Sequence, residues 1–148
     1  MKSTIRNIST AAFIALLICS FGTAVAFAGQ PGPAKSEFLE TVGGGFLAER
    51  QQDGQLSCRY ALSIQARGAH PGTLYLRTRF ENPQDRANPF VVESEIRSGT
   101  KTFVLQSPLI RGIRARQNYK VEIVVFDSST RLHQIDRLIQ KVQSPLNL

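Results

Sequence analysis

The amino-acid sequence predicts an all-β protein, an antiparallel sandwich of seven strands. Composition is the first sign: 148 residues include 11 Gly, seven Pro, nine Phe and three Tyr, which favours strands joined by tight turns. The second sign is a two-residue period of apolar side chains, which places alternate residues on opposite faces of a strand. The third is that such segments recur along the whole central part of the chain, as is typical of two packed sheets.

The second and third predicted strands show the alternation most clearly. Apolar side chains occupy every second position over residues 58–66. After a turn signal at 70–72 the pattern resumes over residues 74–80, with Thr78 as the one polar residue of the inward set. Most of the residues between them are polar, so each strand is predicted to be half-buried. The side chains of the third strand that we expect to face solvent are Tyr75, Arg77 and Arg79.

Four further strands follow from similar patterns. The first lies within residues 37–49 and is interrupted by three consecutive glycines, 43–45, where a β-bulge or a strand switch is expected. Residues 90–96 and 102–106 are the fourth and fifth strands. Residues 119–126 form the sixth, which is the most strongly apolar of all.

The last element, residues 131–143, fits two structures. Its apolar residues have helical spacing, yet they also fit a less regular strand. A short hairpin-type loop at 127–130 precedes it, and without a seventh strand the apolar sixth strand would be an exposed sheet edge. We therefore expect a strand, with the helix as the alternative that the sequence leaves open.

The first 28 residues have the design of a secretory signal peptide. Lys2 and Arg6 precede an apolar stretch at 11–21, and small residues then lead to a predicted cleavage site after Ala28. An uncleaved membrane anchor is the alternative. Cleavage predicts an exported protein with no membrane span, located in the periplasm or, alternatively, outside the cell.

The remaining chain divides simply. Residues 29–35 are rich in Gly and Pro and form a flexible lead-in, residues 36–143 form one sandwich domain, and residues 144–148 are a tail. The whole chain has 18 Lys+Arg against 11 Asp+Glu. Because the leader takes away only two of the basic residues, the exported domain stays basic.

The stretch 112–123 resembles the corner before the sixth strand of fibronectin type III and related immunoglobulin-like domains. In that corner an aliphatic residue stands six positions before a tyrosine, whose hydroxyl bonds to upstream backbone. Ile113 and Tyr119 match this pattern. The chain departs from the family in having no Trp, and Val121 stands where antibody domains have their second Cys. The resemblance implies an immunoglobulin or fibronectin-III-like topology.

A second resemblance concerns the start of the second strand. Cys58 and Arg59, together with residues 121–125 and the loop that leads to His133, are similar to small periplasmic immunoglobulin-like chaperones of curli biogenesis. Some of those chaperones carry a paired-cysteine motif that is absent here, because Ser57 precedes Cys58. The resemblance implies, as an alternative function, a chaperone that restrains an amyloid-type subunit.

Catalytic chemistry is not predicted. The exported part has no nucleophile elbow, no zinc-protease motif and no phosphate-binding loop. His70, His133 and Cys58 are its only histidines and thiol, too few for a closed zinc site without scattered carboxylates. We therefore expect no enzyme, no metal and no cofactor. Cys58 is expected to be a buried small hydrophobe, and His70 to be solvated in its turn.

Arginines are the remaining candidates for function. Guanidinium groups bind carboxylates and phosphates through paired hydrogen bonds. The alternative is that these arginines only solubilise the sheet and pair across strands with glutamates such as Glu93 and Glu122. The first candidate group is Tyr75, Arg77 and Arg79, and the second, in the predicted corner loop, is Arg111, Arg114 and Arg116.

The predicted function is an exported, non-enzymatic binding or accessory module of the cell envelope. It would recognise a protein partner by an edge strand or by a basic sheet face. Export makes nucleic acid an unexpected target. An acidic or amyloid-prone protein, an anionic glycan or lipopolysaccharide are the expected partner classes.

Overall fold

The computed structural model describes residues 35–50, 52–53, 56–68, 70 and 72–144. The predicted signal peptide, residues 1–28, lies outside the described residues. So do nearly all of the predicted lead-in and the last four residues of the tail.

In the described part of the chain, seven strands form two antiparallel sheets that pack on each other, so the predicted all-β sandwich is confirmed. One sheet has three strands in the order β1-β2-β5, and the other has four in the order β4-β3-β6-β7. The strands are β1 (Leu39–Arg50), β2 (Leu56–Ala66), β3 (Leu74–Phe80), β4 (Phe90–Ile96), β5 (Thr102–Gln106), β6 (Asn118–Phe126) and β7 (Gln134–Gln143).

The chain has no Trp, and four other aromatic rings fill the centre of the sandwich. The Tyr60 ring lies 4.6 Å from the Phe46 ring, 5.7 Å from the Phe80 ring and 5.9 Å from the Tyr119 ring, measured between centroids. All four residues are at most 2% exposed. They come from strands of both sheets, so their offset and edge contacts hold the two layers together.

The glycine run produces the expected bulge in β1. The register of β1 against β2 shifts between Thr41 and Gly43, so Val42 has no partner on β2 and is 46% exposed. Two residues later the backbones come very close. A side chain added at Gly44 would place its Cβ 2.5 Å from Leu62 Cδ2 and 3.0 Å from the Ala61 carbonyl oxygen. Only glycine fits this approach.

The ambiguous last segment is a strand. β7 pairs with β6 along its whole length, and a register irregularity lies between Val125 and Phe126. The most apolar strand is therefore covered on both sides and is not an edge. Among the described residues, the structure has no helix that is long and apolar enough to cross a membrane.

The chain enters β6 through a corner fixed by hydrogen bonds. The Arg114 backbone N–H donates to the Tyr119 hydroxyl over 2.8 Å. Ser144, assigned to the tail from sequence, is 1% exposed and lies in this corner. Its hydroxyl donates to the Arg114 carbonyl and accepts from the Gln117 N–H, at 2.5 and 3.0 Å. Ile113 packs against the core, and Val121 is fully buried.

Candidate binding surface

The outward arginines of β3 pair with glutamates of the neighbouring strands. We call the solvent side of the four-stranded sheet the outer face. Nε and Nη2 of Arg77 both donate to Oε1 of Glu93 on β4, at 3.1 and 3.0 Å. Arg79 contacts Glu122 on β6 at 3.5 Å. Pairing of these arginines with glutamates across strands, one of the two alternatives that the sequence leaves open, is therefore observed.

Two guanidinium groups on the outer face lie over aromatic rings. The Arg77 guanidinium lies 5.5 Å from the centre of the Phe126 ring, and that of Arg131 lies 5.7 Å from the Tyr75 ring. Arg131 also contacts Glu93 at 3.3 Å. One carboxylate on β4 therefore bridges two arginines, each of which sits over a ring. Contacts within the chain therefore hold this cluster on the outer face.

Glu122 is a buried carboxylate at the middle of β6. It is 6% exposed, although its strand faces solvent on this side. Two arginines, Arg79 and Arg137, approach its two oxygens. Because a buried carboxylate needs compensation, this arrangement fixes both guanidinium groups over the sheet.

Arg131 and Arg137 were not predicted as members of this surface. Arg131 lies in the loop before β7. Recognising Arg137 requires the register of the β6–β7 hairpin, in which Val124 stands opposite Arg137 although Phe126 stands opposite Gln134. Counting outward from the loop misplaces these partners by one residue, because the register shifts beside Phe126. The pattern of charges alone carries no signal for such a shift.

A cleft of about 280 Å³ opens at one end of the outer face. The β3–β4 loop forms its far wall, where Glu81 contacts Arg86 at 3.0 Å. The other oxygen of Glu81 accepts the Lys120 backbone N–H at 2.8 Å. The lining residues are Arg79, Glu81, Arg86, Pro89, Lys120 and Glu122.

The second predicted arginine group is less organised. Arg111 contacts Asp53 at 3.7 Å. Arg114 and Arg116 are exposed, and within the described parts of the chain neither side chain has an ion-pair partner. Arg114 serves the fold through its backbone N–H, and Arg116 has a left-handed backbone with a φ of 59°. This group is a loop of solvated cations and not a built site.

The edges on the β1 and β7 side of the sandwich are fastened to each other. The Phe38 N–H donates to Asp136 of β7 at 2.9 Å, and the Thr41 hydroxyl of β1 donates to Gln140 at 3.0 Å. The bulge at Val42 further distorts the β1 edge. Bulges and covering contacts are ways in which sheet edges are protected from a further strand.

The β4 edge, residues 90–96, is regular and open. In the described structure β4 pairs only with β3, over seven residues and without a register shift. Val91 is 52% exposed on the outer face, and Phe90 and Val92 are only half-buried on the inner one. β5, the edge strand of the other sheet on this side, has only five residues. Among the described residues, the β4 edge therefore has a row of backbone donors and acceptors with which no second strand pairs.

Each of the two histidines in the described residues contacts a group near to it in the sequence. His70 was expected to be solvated, and this is wrong: it is 7% exposed, and its Nδ1–H donates to the Gly72 carbonyl at 2.5 Å. His133 lies 2.7 Å from Asp127, whereas Asp136 is engaged by β1. Within the described residues no three His, Cys, Asp or Glu side chains are grouped closely enough to hold a metal ion.

Cys58 lies inside the core, as its position on β2 predicts. It is 2% exposed, and burial raises the pKa of its thiol. A thiol in this environment is a poor nucleophile.

Comparison with known proteins gives no match: no family model, no curated protein and no solved structure matches this chain.

Proposed function

We propose that the protein is an exported, non-enzymatic binding module of the cell envelope that recognises a protein partner by strand addition at the β4 edge. In this mode the backbone of an extended partner segment pairs with an open sheet edge, and its alternate side chains give selectivity. The observation that carries the proposal is the contrast between the two sides of the sandwich. Hydrogen bonds join β1 and the segment before it to β7, whereas β4 is regular, seven residues long and, among the described residues, paired on one side only.

The charged side chains of β4 affect how readily an incoming strand can pair with its edge. Glu93 and Glu95 alternate with Val91 on its outer face, and exposed charges of this kind usually discourage edge pairing. Both carboxylates are already compensated within the chain, Glu93 by two arginines and Glu95 by Arg97 at 3.0 Å. An incoming strand therefore meets a neutralised edge and not an acidic one.

The proposal also includes the family of the sandwich. The strand order and the Tyr119 hydroxyl bond to upstream backbone support a fibronectin-type-III or immunoglobulin-like topology. In the antibody constant domain the fourth strand joins the first sheet, whereas here β4 joins β3 in the second. This position creates the open edge.

Proline substitution tests strand addition. In an edge strand, alternate N–H groups bond to the neighbouring strand, and the others point away from it. One of the variants Val91→Pro and Val92→Pro therefore removes an outward donor, an N–H that points to the open side, and the other removes an N–H that bonds to β3. We expect the tagged full chain to capture a discrete protein from its native envelope, and the variant that loses the outward donor to fold but capture nothing. Capture by both folded variants would exclude strand addition at β4.

The second candidate is a chaperone that restrains an amyloid-prone subunit. The specific observation in its favour is the exposed positive charge of Lys120, Arg137 and Lys141 on the β6–β7 half of the outer face. We expect substoichiometric protein to delay amyloid formation by an acidic or Gln/Asn-rich client, and the double charge reversal Lys120→Glu/Lys141→Glu to weaken the delay. Absence of any delay by the unmodified protein counts against this function.

A further inference from the structure

We infer that the protein has a second binding surface, for an anionic glycan, where β6 begins and β7 ends. We call this surface the lysine end and define it as Asn118, Lys120, Lys141 and Gln143. These residues alternate along their strands with buried ones, and all four are exposed on the outer face. The inference does not rest on the proposed function, because β3 lies between this surface and β4.

Two lysines face each other in the lysine end. Lys120 on β6 stands directly opposite Lys141 on β7. Side chains that are directly opposite in an antiparallel pair have Cβ atoms about 4.5–5.5 Å apart, and like charges in this arrangement destabilise the sheet. An anion bound by both ammonium groups replaces their repulsion by attraction.

The pairing of the neighbouring cations singles out these two lysines. On the outer face Arg77, Arg79 and Arg137 each contact a glutamate of a neighbouring strand. Among the described residues, neither Lys120 nor Lys141 has an ion-pair partner. Uncompensated positive charge on this face therefore lies where the two lysines are opposed.

Two exposed arginines of the corner before β6 enlarge the positive region. Arg114 and Arg116 also lack an ion-pair partner among the described residues. The Ser144 hydroxyl ties this corner to the end of β7, because it donates to the Arg114 carbonyl and accepts a hydrogen bond from the Gln117 N–H at 3.0 Å. Ser144 follows Lys141 by three residues, so arginines and lysines share one end of the sandwich. A chain of anionic groups fits this spread of charge better than one small ion.

The amide neighbours of the lysines favour a sugar chain as the carrier of the anionic groups. Asn118 and Gln143 stand opposite each other, next to the lysine pair on the same face. Within the described part of the chain no hydrogen bond engages either side-chain amide. A carboxamide both donates and accepts hydrogen bonds, so it can bind sugar hydroxyls beside a charged group.

Exposed apolar side chains do not accompany these polar groups. Of the described residues, none of the exposed large hydrophobic ones lies within 111–120 or 141–144, and the nearest along β7 is Ile139. Protein partners are usually anchored by large buried side chains at the centre of the interface, and membrane-surface binding also buries apolar side chains. A surface of cations and amides therefore fits a hydrophilic glycan better than a protein or a membrane.

Titration of the full chain followed by amide NMR tests the lysine end. The anionic glycan probes are tetragalacturonate and a heparin tetrasaccharide. Acetylated, amidated tetraglutamate supplies the same number of carboxylates as tetragalacturonate without sugar hydroxyls, and maltotetraose is a neutral glycan. At constant ionic strength we expect saturable shifts of the Lys120 and Lys141 amides with an anionic glycan, weaker binding of tetraglutamate and no shifts with maltotetraose. Lys120→Gln and Lys141→Gln should each weaken glycan binding by about threefold, the loss of one exposed ion pair.

Lys101→Gln is the matched control. Lys101 is likewise exposed and without an ion-pair partner among the described residues, but it lies in the β4–β5 loop, at the opposite end of the strands from the start of β6. Equal weakening by Lys101→Gln and Lys120→Gln would overturn the inference in favour of unspecific attraction, and so would the lack of saturable shifts with both anionic glycans. Tetraglutamate that binds as tightly as the glycans would overturn the glycan assignment and favour an acidic protein.

Urea unfolding separates glycan binding from support of the fold. Because the two lysines repel each other, Lys141→Gln should leave the midpoint of the free protein unchanged or raise it. An anionic glycan should raise the midpoint of the unmodified protein more than that of the variant. A large fall in the midpoint of free Lys141→Gln would assign this lysine to the fold and contradict the inference. The folded β4 variant that loses the outward donor should keep the glycan titration, so either proposal can fail while the other stands.

Discussion

Replacing Gly44 by alanine probes the closest approach of β1 to β2. The new Cβ would lie 2.5 Å from Leu62 Cδ2 and 3.0 Å from the Ala61 carbonyl oxygen. The leucine is fully buried and the carbonyl belongs to the sheet backbone, so neither can move without disturbing the core. Overpacking of this kind costs about 1–3 kcal/mol. The reduced freedom of the unfolded chain returns about 0.4–1 kcal/mol, so we expect a net loss of about 1–2 kcal/mol.

The neighbouring Gly43 provides a matched control. An added Cβ there would meet only Ser63 Cβ, at 4.0 Å, which is an ordinary contact. Gly43→Ala should therefore be neutral or stabilise the protein by up to about 1 kcal/mol through the unfolded chain. The two substitutions have the same chemistry and lie on the same strand, so their difference isolates the contact with β2.

Urea unfolding followed by circular dichroism measures both variants. With a slope of about 1–3 kcal/mol per molar urea, the Gly44→Ala midpoint should fall by roughly 1 M and the Gly43→Ala midpoint should stay or rise. Equal midpoints for the two variants would refute the described register of β1 on β2.

Three further predictions concern the core and the corner. Tyr119→Phe removes the acceptor of the Arg114 N–H and should lower the free energy of unfolding by about 1–2 kcal/mol; an unchanged urea midpoint would contradict this. Cys58, whose thiol pKa is raised by burial, should resist a thiol reagent in the folded protein and react once urea unfolds it, whereas fast labelling of the native state argues against its burial. Burial likewise raises the pKa of Tyr60, so the folded protein holds the hydroxyl proton more tightly than the unfolded chain. The contribution of this group to the free energy of unfolding should be fully present below its unfolded pKa of 10.0 and should decline as the pH rises above that value. Tyr60→Phe should flatten this alkaline decline when unfolding is measured as a function of pH.

Much of the fold follows from local pattern. Alternation in β2 and β3 identifies their buried faces, because burial on one face requires apolar residues at every second position. The glycine run predicts the irregularity in β1, and the resemblance carried by Ile113 and Tyr119 implies the hydroxyl bond of Tyr119. Each of these signals lies within a dozen residues of sequence.

The side-chain contacts of the outer face cannot be predicted from local sequence pattern in the same way. Glu122 reads as an outward residue of a strand, yet two arginines from different neighbours cover it. The contribution of Arg137 depends on a register shift, and that of Arg86 depends on the path of the β3–β4 loop. Contacts between distant segments decide these positions.

Hydrogen exchange of the β4 amides with the captured partner bound tests the central claim most directly. Strand addition predicts that alternate amides between Phe90 and Ile96, those that do not pair with β3, gain protection on binding. Amides of β7, whose edge is fastened to β1, should change little. Recognition at the β4 edge would be contradicted if exchange along β4 stayed unchanged while amides of β7, or only amides of loops, gained protection.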